Sequence, residues 1–183
     1  MDRREALKNI SLAFGCTIST PTLFNILLSC TEENNSNTYQ FLNQQEAFII
    51  NQSSKFILPV ISSFDSETFN LTRFTDSMLY HTVSKEEQEL FNLGSNEFIE
   101  IFENKIGKNI LEGTNKDFEK VLKAHLDIPE NKTNYIFEIL KKPYLSVQNQ
   151  DRRDYLLYTF LTKMRYYCLF GYCTSEYFIE TNA

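Results

Sequence analysis

Residues 151–170, Asp-Arg-Arg-Asp-Tyr-Leu-Leu-Tyr-Thr-Phe-Leu-Thr-Lys-Met-Arg-Tyr-Tyr-Cys-Leu-Phe, constrain the fold more than any other stretch of the chain. At the helical period, Leu157, Phe160, Leu161, Met164 and Cys168 form one stripe, and Tyr155, Tyr158, Tyr166 and Leu169 populate a second side. A helix apolar on two sides is either central to its own core or shared with a partner. Tyrosine suits both settings, because its ring packs while its hydroxyl keeps a hydrogen bond to water.

The same period runs through most of the chain. Over 45–61 it places Phe48, Ile49, Gln52, Phe56 and Val60 near one face, with Pro59 bending or ending the helix. A helix over 68–83 carries Phe74, Met78 and Leu79. Ser84-Lys85-Glu86-Glu87 is a capping box that starts the next helix, which presents Leu90, Phe91, Phe98, Ile101, Phe102 and Ile106. Gly94 is a candidate break in it, and Gly107 or Gly113 a candidate stop. Thr114 to Asp117 offers a second cap, ahead of Phe118, Val121, Leu122 and Leu126; residues 132–142 add Tyr135, Ile136, Ile139 and Leu140. Nothing alternates for long, although 39–42 and 144–147 are short enough to be strand or turn. Five glycines and four prolines leave few sites for hairpin turns. The expected fold is all-α, a single compact helical domain over 41–183.

The first thirty residues read as a processing segment. Arg3 and Arg4, followed by Leu7 and Lys8, resemble a twin-arginine export signal, with departures before the pair and at Ala6. The apolar run that follows is broken by Thr17, Ser19, Thr20, Pro21, Thr22 and Asn25, too polar for a comfortable membrane span. It ends Leu27-Leu28-Ser29-Cys30, which resembles a bacterial lipobox. Residues 1–29 are therefore expected to be a twin-arginine-like lipoprotein signal peptide, cleaved ahead of a lipidated Cys30. More than one acyl chain is what stable anchoring needs. Residues 30–40 read as a flexible tether, whose ten polar residues after the cysteine reach roughly 17–19 Å. Thr31, in place of a retention aspartate, favours the outer membrane.

The chemistry of catalysis is sparse. The net charge of −6 and the absence of a basic patch argue against nucleic acid. The scattered glycines build neither a phosphate-cradling loop nor a dinucleotide fingerprint. His81 and His125, the only histidines, lie far apart and are expected at the surface near helix C-termini, where the dipole favours imidazolium. After lipidation of Cys30, Cys168 and Cys173 are left within the domain, where a disulfide is conceivable and a core role for one of them is expected. The carboxylates at 86, 87, 97, 100 and 103 have the spacing of a solvated helix exterior. No catalytic, cofactor-binding or metal-binding residue is expected in this chain.

Near the C-terminus stands Leu169-Phe170-Gly171-Tyr172-Cys173-Thr174-Ser175-Glu176. Gly171 reads as a left-handed helix stop, with Thr174 or Ser175 capping a short final helix. With the Asp-Arg-Arg-Glu start, Ile57-Leu58-Pro59 and Leu71-Thr72-Arg73-Phe74-Thr75-Asp76-Ser77-Met78-Leu79, this resembles the gluconate 2-dehydrogenase subunit 3 family. The family's Asp-Thr-Pro-Gly-Ala segment is replaced here by Ser63-Phe64-Asp65-Ser66-Glu67. The resemblance implies an exported, non-catalytic small subunit of a flavin-dependent sugar dehydrogenase. Its large GMC-type partner would hold the FAD, a cytochrome c subunit often accompanies the pair, and the Tat translocase would carry them out. The expected location is periplasmic, at the membrane surface through the lipid. The expected partner interface comprises Tyr155, Tyr158, Tyr166, Gly171, Tyr172, Thr174 and Ser175. A free-standing envelope lipoprotein that binds a ligand, with no enzyme attached, is the other reading, and an enzyme in its own right comes third.

Overall fold

A computed structural model of the chain describes residues 22, 23, 25–27, 39–58, 70–175, 178 and 179. The expectations for Arg3, Arg4, Leu7, Lys8, Cys30 and the loop at 62–67 lie outside the described residues. All regular structure among the described residues is helical, with no strand. Helices α1 (Gln44–Ile57), α2 (Leu71–Thr82) and α3 (Lys85–Ile106) are followed by a 3₁₀ turn, Ile110–Glu112. Then come α4 (Asn115–Leu126), α5 (Glu130–Leu140), two further 3₁₀ turns at Tyr144–Ser146 and Asn149–Asp151, and α6 (Arg152–Thr174).

Local chemistry sets most of these boundaries. Asn43, Asn70, Ser84 and Thr114 each accept a hydrogen bond from a first-turn backbone N–H, and three of them complete capping boxes with Glu46, Glu87 and Asp117. Helix α1 stops at Ile57, two residues before Pro59. Helix α3 ends on Gly107, whose φ of 76° is the one positive value among the described residues.

Helix α6 is the axle of the domain, contacting α1, α2, α3 and α5. Its longest contact is with α3, and there Gly94 has a different role from the expected break. The helix runs straight through this position, and an added Cβ would sit 2.2 Å from the Leu156 carbonyl oxygen and 2.7 Å from Phe160 Cβ. Glycine is what lets the two backbones touch. Around the crossing, seven phenylalanines are fully buried: Phe74, Phe91, Phe98, Phe102, Phe118, Phe160 and Phe170. Their rings meet in tilted and stacked pairs, Phe91 with Phe160 at 4.9 Å and Phe102 with Phe118 at 4.7 Å between centroids.

The buried face of α1 differs from the expected one. It is made of Glu46, Ala47, Ile49, Ile50, Ser53 and Ser54, while Phe48, Gln52 and Phe56 are half-buried at its flanks. The Glu46 carboxylate accepts hydrogen bonds from the Asn43 N–H at 3.0 Å and from the Ser95 hydroxyl at 2.8 Å, tying α1 to α3. Burial pushes this carboxyl above its ordinary range, against the opposing pull of those two bonds. The start of the domain is held in a similar way. Asp76 on α2 is buried and accepts hydrogen bonds from the backbone N–H groups of Gln40, Phe41 and Leu42 at 2.8, 2.9 and 2.8 Å. Gln40, the last residue of the segment read as a tether, is thus fixed to the fold.

Candidate functional site

The residues expected to form a partner surface lie mostly inside this chain's own core. Tyr155 and Tyr158 are 7% and 5% exposed, Thr174 and Ser175 are 0% and 1% exposed, and Gly171 is buried. Positions so enclosed present no docking surface, so the central-core reading holds for the four on α6 and for Ser175 just past its end. Tyr166 and Tyr172 remain half-buried at the rim, Tyr166 stacked on Phe170 at 5.9 Å and Tyr172 edge-on to Phe178 at 5.3 Å.

The motif 169–176 is accordingly structural where it is described. Gly171 does not stop the helix, which continues to Thr174. An added Cβ at Gly171 would meet Phe74 Cδ1 at 2.6 Å and Leu71 Cδ2 at 2.9 Å, so this glycine makes room for α2. The Thr174 hydroxyl donates back to the Phe170 carbonyl at 2.8 Å. Ser175 is the cap of the next turn, its Oγ accepting from the Phe178 N–H at 3.3 Å.

Tyr158 sits where α4, α5 and α6 meet. His125 lies edge-on to its ring at 6.4 Å and the Lys132 ammonium lies 5.9 Å from the ring centroid, while its buried hydroxyl has no hydrogen-bond partner among the described residues. His125 is half-buried instead of lying at the surface. Burial, with Lys105 and Lys132 nearby, lowers its pKa and outweighs the opposing pull of Asp154. His81, by contrast, is exposed as expected.

Cys168 is fully buried and its thiol is pushed up to about 12 by burial, which keeps it protonated. Cys173 is half-buried and is likewise a free thiol. Among the described residues no group of three or more His, Cys, Asp or Glu side chains could hold a metal ion, and no helix is long and apolar enough to cross a membrane.

Two surface features stand out among the described residues. An open groove of about 610 Å³ is lined by Tyr39, Leu42, Gln44, Ala47, Phe48, Asn51 and Leu111. The polar groups of its described lining residues are amides and one phenol, so among them it offers a ligand contact but neither carboxylate, imidazole nor thiol for proton transfer. The second feature is the corner between α5 and α6, where Phe137 is 58% and Leu145 is 85% exposed. The corner is stiff. Tyr135 donates a hydrogen bond to Asp151 at 2.9 Å, Tyr144 packs on Tyr155 at 5.6 Å, and the Arg152 guanidinium lies 5.6 Å from the Tyr144 ring centroid. Desolvation, followed by the hydrogen bond to the Asp151 carboxylate, pushes the Tyr135 hydroxyl up to about 12.

The fold and its surface together define a small helical domain with a sealed axle and an apolar corner. Over residues 44–183 the chain matches the family model described as Gluconate 2-dehydrogenase subunit 3, and it belongs to that family. The family places it as an accessory subunit of a gluconate dehydrogenase complex. Neither the curated proteins nor the solved structures offer a significant match to the chain.

Proposed function

We propose that this chain is the non-catalytic small subunit of a periplasmic flavin-dependent sugar dehydrogenase. It stabilises, co-exports and anchors a large GMC-type subunit that carries the FAD, with a cytochrome c subunit as a further partner. The observation that carries the reading is the family match across the helical domain, 44–183. Two sequence features support the export and anchoring parts: the Arg3-Arg4 pair and the lipobox ending at Cys30. The twin-arginine route moves folded passengers, which suits a chain that grips a cofactor-bearing partner and crosses with it.

The buried tyrosines of α6 move the docking surface elsewhere, and the exposed Phe137 and Leu145 on a stiff corner are the apolar anchors best placed for it. Detergent extraction and affinity purification should recover a flavoprotein with a flavin absorption band. The variant Phe137→Asp with Leu145→Asp should lose that band while keeping the thermal midpoint of the isolated chain. A colourless, solitary monomer from the native source would instead select the free-standing binding module, the reading that the open groove beside Phe48 supports.

A further inference from the structure

Thr22, Leu23, Asn25, Ile26 and Leu27 are helical, and they are not laid out as an export leader's apolar run would be in water. Leu23, Ile26 and Leu27 are 2%, 4% and 2% exposed and belong to the same apolar cluster as Phe74, Phe98 and Phe160, whereas Asn25 is exposed. The spacing i, i+3, i+4 puts the three apolar side chains on one face of a helix, the pattern by which an amphipathic helix seats itself in a groove. Yet the sequence marks this segment for removal, because the lipobox cleavage point lies just beyond it, before Cys30.

We propose that the segment carrying Leu23, Ile26 and Leu27 is a removable piece of the core, seated by these three side chains while the leader is attached, and that its departure uncovers an apolar groove on the domain. The occupant of that groove is the chain's own leader. Before export the folded precursor keeps Leu23, Ile26 and Leu27, and the groove with them, out of water; afterwards the groove is open. The removal step rests on the lipobox reading above, whereas the seating rests on burial alone.

The test uses the full chain with Cys30→Ala, which stays unprocessed. Leu23→Asp with Ile26→Asp should lower the thermal midpoint by roughly 5–15 °C, since a domain of this size loses about 2–4 °C per kcal/mol. It should also raise the fluorescence of the apolar-surface dye ANS several-fold. Asn25→Asp, on the exposed side of the same turn, should change neither. An unchanged midpoint and unchanged dye binding in the double variant would overturn the proposal. Should that variant not fold, a protease site placed within residues 31–37 gives an independent readout. After cutting, the leader fragment should co-elute with the domain on gel filtration, and its immediate release would count against the proposal. The N-terminal mass of the native protein separates the two readings. A chain still beginning before Cys30 defeats the lipobox and leaves the seat intact; a chain beginning at Cys30 with a null result in the midpoint test defeats the seat alone.

Discussion

A methyl group at position 94 has nowhere to go, because its neighbours on α6 are a backbone carbonyl and a Cβ that cannot swing aside. Gly94→Ala gains up to about 1 kcal/mol of helix propensity, yet we expect a net loss of roughly 2–3 kcal/mol from overpacking. Gly107→Ala meets open space and should lose only about 1 kcal/mol through its left-handed backbone. Urea titration of both variants checks the order. Tyr158 makes a sharper point. Its buried hydroxyl has no partner among the described residues, so Tyr158→Phe should be neutral or stabilising by up to about 1 kcal/mol, and flavoprotein recovery should be unchanged; a loss of recovery would return Tyr158 to the interface. His125 carries a pH signature. Its folded pKa lies below its unfolded value of about 6.5, so the folded chain binds fewer protons as pH falls through that value. Stability is complete above it and is lost as pH drops towards the folded pKa. His125→Gln should flatten the dependence of the thermal midpoint as pH falls below about 6.5.

Among the elements, the capped helix starts were legible because the chemistry of a cap is local: Ser84 with Glu87 and Thr114 with Asp117 can be read from four residues. The cap formed by Asn43 with Glu46 obeys the same rule and was there to be found. The buried face of α1 was not legible. Its large aromatics, Phe48 and Phe56, drew the expected stripe towards themselves, while the core took Ser53, Ser54 and Glu46, whose burial depends on a partner 49 residues away, Ser95. Asp76 is a similar case, since nothing in the stretch around it announces three N–H partners more than thirty residues upstream. Asp76→Ala would strand those three donors, Leu42 N–H in the buried interior among them. It should cost about 2–4 kcal/mol, since hydrogen bonds to a charged group are each worth about 1.5–3 kcal/mol net, and should speed hydrogen exchange at Phe41 and Leu42.

For the whole molecule, the helical class and the central place of α6 followed from its two apolar sides, while the sign of the tyrosine pattern did not. A tyrosine stripe fits a wet interface or a dry axle equally well; which one it makes is decided by whether α5 and the turns after it fold back over it, a matter of long-range packing. The exposed positions Phe137 and Leu145 carried no periodic signal, because they stand alone at the end of a short helix and in a single 3₁₀ turn.

The clamp at Asp76 also governs how the molecule bears load. In a chain without its leader, a tug from the N-terminal side enters the domain at residues 40–42 and meets three bonds to one α2 carboxylate before it reaches α1. Such a fastening gathers the pull onto one carboxylate and spares the aromatic interior, so movement of the preceding chain leaves the packed core undisturbed.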